Sequence, residues 1–393
     1  FEYAPEAFMP ISLSLPLDGS WQVDAPGAFL DGLLPDNDSE REAKVRAETG
    51  TVSILIPGYD GSDETSYYTR AIKAFEEKFG KKVTIVQAVG DQLWNEKVAA
   101  QIAAKDPVDL FVISVDQYLS MYQKDYLMPV DEYVDLTRKG HNREVMDDFV
   151  KFDGKYYAAG VSATPYVLYY NRDILLSNGY DADEPRKLYE EGAWNWEAFV
   201  EIARTCTDED AGITGLENMF DEVFMASNAC SAVTFADGKY SLNIKSTAMR
   251  NTLEMVQDIF NKNPVCGSGY VTGQNKFLKG KSVMHGAYAY EESTFTELKN
   301  SGSINIDFGV APFPAGPDNT DGRNFGHSTG FAISTGADCP YGAGMLMDMI
   351  LEEADKDNTT KESLVLPENQ ELYDKLGENL YIPSYTDGII ERG

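Results

Sequence analysis

Thr51-Val-Ser-Ile-Leu-Ile56 is a short apolar β run that ends in a turn-forming loop, Gly58-Tyr-Asp-Gly61. Beyond the loop, Tyr68, Ile72, Phe75 and Phe79 keep helical spacing, and Gly80 stops that helix before a second strand, Val83–Val86. Trp94–Ala104 predicts another helix, and Val108-Asp-Leu-Phe-Val-Ile113 is apolar enough for a strand buried on both faces. The order β-α-β-α-β, closed by right-handed crossovers, gives an α/β unit with a parallel sheet. Ligands of such sheets sit at the carboxyl ends of the strands, here the loops Gly58–Asp63 and Ser114–Gln117.

The alternation continues less cleanly. Lys155–Tyr170 holds two short strand candidates split by Pro165, and Phe308–Ala311 and Gly330–Ser334 are further strands. Trp196–Thr205, Met249–Asn261 and Tyr341–Glu353 read as helices. Residues 1–50 differ from the rest: Pro5, Pro10, Pro16, Pro26 and Pro35 break any periodicity, and a charged stretch, Asp36–Glu48, has the makings of a short helix. This segment reads as an extension or strap. The chain starts at Phe1 with no basic, apolar leader, as expected of a processed or trimmed N-terminus.

With 393 residues the chain exceeds one ordinary core, and two domains are expected. Its formal charge of −31 repels polyanions, so nucleic acid and anionic lipid are poor partners. Cys206, Cys230, Cys266 and Cys339 lack the paired spacings of a zinc site and read as buried thiols or one incidental disulfide, such as Cys206 with Cys230. No metal is expected. Gly267-Ser-Gly269 with Gly273 misses the dinucleotide fingerprint, no phosphate-cradling Gly-rich loop occurs, and no cofactor is expected.

Gly326-His-Ser-Thr-Gly330 matches the nucleophile elbow of hydrolases, with Ser328 as the nucleophile. That motif needs a helix after it and a histidine later in the chain, whereas Phe331-Ala-Ile-Ser334 reads as a strand and His327 is the last of the three histidines. Carboxylate pairs such as Asp208/Asp210 and Glu291/Glu292 suit a solvated acidic face as well as a glycosidase. The 23 tyrosines are more distinctive, several lying in loops beside Gly, Asp and Asn: Tyr59, Tyr166, Tyr288 and Tyr290, with Trp194. Such rings stack on the C–H faces of sugars while neighbouring carboxylates and amides bond hydroxyls, although each alone is as easily core or surface.

An ordered set of segments resembles the extracellular solute-binding proteins of ABC importers, the carbohydrate-uptake family that includes maltose-binding protein. The segments are Val108-Asp-Leu-Phe-Val-Ile-Ser-Val-Asp116-Gln117, Tyr122–Asp131, Gly154–Gly160 with Leu168-Tyr-Tyr-Asn-Arg-Asp173, Trp194–Phe199, Phe277–Met284 with Gly286-Ala-Tyr288, and Gly309–Pro314. They span roughly residues 51–385. The strap 1–50 has no counterpart in that pattern, Tyr288 stands where tryptophan is usual, and the chain stops near Ile382-Pro-Ser-Tyr385, where relatives continue into further helices.

The resemblance implies a two-lobed α/β fold of the type II periplasmic-binding-protein kind. Lobe 1 would comprise residues 51–163 with about 332–375, and lobe 2 residues 164–328 with about 376–393, after an N-terminal extension over 1–50. Crossing segments would fall near Val161–Pro165 and His327–Phe331, and Gly326–Gly330 becomes a hinge-side loop with Ser328 as a hydroxyl donor. The implied function is capture of a sugar or oligosaccharide by hinge closure and delivery to a membrane permease, without chemistry, by a monomer at the cell surface, lipid-anchored or periplasmic. The ligand-binding residues expected are Tyr59, Asp60 and Asp116 from lobe 1, Thr164, Tyr166, Asn228, Tyr288 and Tyr290 from the crossing and lobe 2, and His327 and Ser328 at the second crossing. A secreted carbohydrate-active hydrolase and a non-transport sugar sensor or adhesion module are the other readings.

Overall fold

The computed structural model describes residues 37–381 apart from 88–93, 139, 142, 144–145, 148–149, 237–238, 263–264, 267–274, 321 and 363. The proline-rich part of the extension, the Gly267–Gly273 motif and the end of the chain from Ile382 onward lie outside the described residues.

Helix α1 (Asn37–Ala47) precedes β1 (Val52–Leu55), α2 (Tyr67–Phe79), β2 (Val83–Ile85), α3 (Trp94–Ala103), β3 (Leu110–Ser114) and α4 (Val115–Gln123). Ser66 caps the start of α2 through its hydroxyl and Gly80 ends it in the left-handed conformation, as the spacing of its apolar residues requires. A hairpin, β4 (Lys151–Phe152) and β5 (Lys155–Tyr156), leads into the long strand β6 (Ala159–Asn171). There follow α5 (Arg172–Ser177), α6 (Glu184–Glu190), α7 (Trp196–Thr205), β7 (Thr214–Glu217), α8 (Asp221–Ser227), the hairpin β8 (Val233–Ala236) and β9 (Lys239–Leu242), and α9 (Thr247–Gln257), which runs on as a π turn over Asp258–Lys262. The chain continues through α10 (Asn275–Leu278), β10 (Ser282–Tyr288), α11 (Glu291–Asn300), β11 (Phe308–Pro312), a second long strand β12 (Asn324–Ile333), α12 (Pro340–Glu362), α13 (Pro367–Gly377) and β13 (Leu380–Tyr381). Among the described residues no helix is long and apolar enough to cross a membrane.

One sheet joins both halves in the order β2-β1-β3-β12-β6-β10-β7, with β11 also on β6 and β13 on β12. The first three strands are parallel, as the β-α-β-α-β pattern requires, and β12 enters antiparallel to β3. Two long antiparallel strands, β6 and β12, therefore cross from one half to the other, pairing over Ala159–Pro165 and Gly326–Phe331. On one side lies a core of Val52, Ile54, Phe75, Leu110, Phe111, Ile333 and Leu346. On the other, a core holds Leu168, Trp196, Phe199, Leu216, Phe224 and Met284, with a smaller cluster around Tyr169, Phe277 and Phe295.

Three expectations need correction. Pro165 does not split β6, because it sits where the strand changes neighbours, paired with Gly326 of β12 while Tyr166 onward pairs with β10, so its missing N–H interrupts little. Residues 37–47 of the extension are part of lobe 1, since Val45 is fully buried in the first core and Arg41 bonds Asp348 of α12. Helix α13, expected with lobe 1, packs Leu372, Tyr373 and Leu376 into the cluster that contains Val167 and Phe295. Of the two readings left open for the cysteines, the thiol one holds: Cys206, Cys230 and Cys339 are buried free thiols, with the Cys230 sulfur against the Thr252 hydroxyl at 3.3 Å.

Candidate ligand-binding cleft

Residues paired across a sheet share a face, and successive residues of one strand alternate. His327 pairs with Thr164 and Thr329 with Ser162, while Thr329 also faces Ser114 of β3. Tyr288 pairs with Tyr166, two residues beyond Thr164 on the same strand. One face of the crossing thus carries Ser114, Thr329 and Ser162 in a row, then His327 and Thr164, then Tyr288 over Tyr166. Exposure follows the same pattern along the crossing part of β12, where only His327 and Thr329 are half-open; along β6 the open stretch is Ser162–Thr164, which also includes Ala163 of the opposite face.

The aromatic end of this face is layered. The Tyr166 ring lies edge-on beneath Tyr288 at 5.2 Å and against Phe325 at 5.7 Å. Tyr288 in turn lies 5.6 Å from the His327 ring and nearly parallel to Tyr290 at 5.8 Å, and Tyr290 is 61% exposed. The backbone beneath these rings is held from the core, because the Tyr169 hydroxyl donates to the carbonyls of Tyr288 and Ala289 at 3.1 and 3.2 Å.

The structure brings together Thr164, Tyr288, Tyr290 and His327. Tyr59 and Asp60 stand on the other lobe, in the loop after β1. The Tyr59 hydroxyl is bonded to that of Thr69 at 2.8 Å, and exposed Asp60 accepts the Ser62 N–H at 2.8 Å. The Ser62 hydroxyl and N–H hold the Asp60 carboxyl below the usual range. Asp116 is in the first turn of α4, and its side chain lies outside the described residues.

Three expected ligand residues are corrected. Tyr166 is 1% exposed, donates its hydroxyl to the Asn218 carbonyl at 2.5 Å, and has its pKa pushed well up by burial; it packs edge-on beside Tyr288. Asn228 is fully buried, and its amide donates to the Ala248 carbonyl, Thr252 Oγ1 and Asp318 Oδ2 while its oxygen accepts the Asp318 N–H. Ser328 pairs with Ala163 and so points to the opposite face from His327; it is 1% exposed and its hydroxyl has no hydrogen-bond partner among the described residues. Loop placement suggested Asn228 and position at the second crossing Ser328, and neither reports which way a side chain turns.

The same geometry disposes of the nucleophile elbow. Gly326–Gly330 lies inside β12 with no strand-turn-helix, and Ser328 and His327 occupy opposite faces. His285 is buried in lobe 2, stacked on Phe277 at 5.4 Å, and His141 is buried near Asp348, so neither serves Ser328 as a base. Among the described residues no cluster of His, Cys, Asp and Glu could hold a metal ion. Sequence reading missed Ser114, Ser162 and Thr329, whose shared face becomes visible only through the strand register. It also missed Asn218, whose amide donates to the Gly286 carbonyl at 2.6 Å beside the Tyr166–Tyr288 pair.

A family model described as bacterial extracellular solute-binding protein matches residues 61–357. The chain belongs to this family. Extracellular solute-binding proteins are binding proteins by description, and this member's crossing-strand face lies where its two lobes meet. Binding proteins of Brucella abortus and Brucella suis are each 22% identical to it over 334 residues, covering 83% of this chain and 78% of the relative. Among solved structures, it resembles an ABC substrate-binding protein from Listeria monocytogenes in complex with cycloalternan, at TM-score 0.68 and 17% identity over 86% of this chain and 88% of that one. An ABC transporter solute-binding protein from Thermotoga lettingae bound with α-D-tagatose superposes at TM-score 0.64 and 17% identity, covering 80% of both chains. UgpB from Mycobacterium tuberculosis in complex with glycerophosphocholine gives 0.66 and 17%, covering 86% and 88%. All three have the two-lobed type II fold described above.

Proposed function

We propose that this protein is the sugar-capturing component of an ABC importer, which closes its lobes on an intact oligosaccharide and hands it to a membrane permease. The observation that carries the reading is the face shared by Thr164, His327, Tyr288 and Tyr290, where hydroxyls and an imidazole lie beside two exposed or half-exposed rings at the crossing of the lobes. Rings cover the C–H faces of a pyranose while the hydroxyl row exchanges hydrogen bonds with its OH groups. Closure is favoured only if the sugar contacts both lobes, and Tyr59, Asp60 and Asp116 are the lobe 1 partners proposed. The solved relatives bound to cycloalternan and tagatose support a sugar as the solute. A monomer anchored by lipid at the cell surface suits this role.

A thermal-shift screen against mono- and oligosaccharides tests the reading, because a ligand that binds only the folded state raises the melting temperature by mass action. The expected result is a rise with at least one sugar, which is then recovered unchanged after prolonged incubation. Hydrolysis of that sugar would favour a carbohydrate-active enzyme instead.

A further inference from the structure

Ser162 and Thr164 reach the cleft face only because β6 carries one extra residue. Thr329 pairs with Ser162 and Phe331 with Ala159, so three steps on β6 match two on β12. A slip of one residue turns every side chain beyond it to the other face, so removing this bulge would send Ser162 and Thr164 to the back of the sheet. Gly160 lies within the bulge at φ +61, and a Cβ there would meet Leu351 Cδ2 at 2.9 Å. Its N–H leaves the ladder and donates to Nδ1 of His141 at 3.0 Å, with both residues buried.

Because Nδ1 accepts, the imidazole proton sits on Nε2, which faces Asp348 Oδ1 at 3.6 Å. Asp348 is itself buried on α12; its other oxygen takes Nη2 of Arg41 on α1 at 2.6 Å, with Nε of Arg138 at 3.8 Å. The N-terminal helix is thus tied to Asp348, whose Oδ1 lies beside His141 at a distance too long for a hydrogen bond. Resting on the sugar-receptor reading above, we infer that His141 is a positioning residue for ligand binding: by accepting the Gly160 N–H it fixes the bulge that sets Thr164 and Ser162 opposite His327 and Thr329.

The test uses two amide variants that keep polarity and approximate size. In H141N the side-chain oxygen can stand where Nδ1 stands, whereas in H141Q it reaches the Nε2 position and leaves Gly160 without its acceptor. Amide hydrogen exchange of Gly160 is measured without sugar, and affinity is measured by calorimetry with whichever of maltotriose, cellotriose, xylotriose or cycloalternan gives the largest thermal shift. Loss of one buried hydrogen bond predicts affinity about fivefold weaker in H141Q, with H141N within about twofold of wild type. The Gly160 amide is expected to exchange about tenfold faster in H141Q than in the other two, by the same loss of protection.

Wild-type affinity in H141Q, or H141N as weak as H141Q, overturns the assignment. If H141Q does not fold, H141N alone decides: wild-type affinity and exchange support the role, and a loss of either refutes it. Wild-type protein that binds no sugar of the mono- and oligosaccharide screen above refutes the receptor reading instead, a failure recognisable because it appears before any substitution is made.

Discussion

The Tyr288 and His327 rings lie 5.6 Å apart at a tilt of 41°, one from the last residue of β10 in lobe 2 and the other from the crossing strand β12. A crossing strand and a lobe wall thus present one composite surface, and under the proposed closure a sugar seated on Tyr288 would also meet the strand expected to bend. Tyr288→Ala is expected to weaken sugar binding by about 1–3 kcal/mol, the scale of losing a well-placed aromatic contact. Calorimetry returning unchanged affinity would remove Tyr288 from the site.

Asn228 behaves differently in this account. Its amide closes a buried network between α8, α9 and the loop at Asp318, where Gly316 also packs so closely that a Cβ would meet the Asn228 oxygen at 2.4 Å. Asn228→Ala leaves several buried groups unpaired and should cost about 2–4 kcal/mol of stability. Denaturant melts should show the loss, with sugar affinity per folded molecule retained; selective loss of affinity in a fully stable variant would return Asn228 to the ligand.

Arg41→Met tests the standing of the N-terminal helix. The substitution leaves the Asp348 carboxylate buried with Arg138 and His141 as its remaining basic neighbours. Breaking one side of a buried pair costs about 3–5 kcal/mol. A melting temperature unmoved by R41M would show that α1 is an appendage and not part of lobe 1.

Acid sensitivity provides a separate check. Hydrogen bonds from Lys356 and then from Arg70 hold the Glu353 carboxyl below its usual range, and the Arg70 bond links α2 to α12. A depressed carboxyl contributes stability that is present above its unfolded pKa of about 4.3 and lost as pH falls through the lower folded value. Arg70→Ala should therefore shift the acid-unfolding midpoint upward. A midpoint unchanged within error would mean that the Arg70–Glu353 bond contributes nothing across that pH range.

The sequence made much of the fold legible, for definite physical reasons. Helix α2 ends at Gly80 as read, since a left-handed terminus leaves a glycine in plain view, and α7 runs over Trp196–Thr205 as its apolar spacing requires. Pro165 misled because a proline's effect depends on which neighbour its missing N–H faces, and that is a property of the sheet. Trp194, read as a loop ring suited to sugars, donates its indole N–H to the Pro312 carbonyl at 2.8 Å and belongs to the core. At the site, Tyr288 and Thr164 came from motif position and share the cleft face, whereas Ser328 was one residue out of phase and turned away. The bulge at Gly160, which decides that phase on β6, has no local signature beyond a glycine.

The most direct test of the central claim is small-angle X-ray scattering of the protein with and without a saturating concentration of the sugar that raises its melting temperature most. Lobe closure about β6 and β12 predicts a smaller radius of gyration in the bound state. An unchanged radius at full occupancy would contradict capture by closure between the lobes.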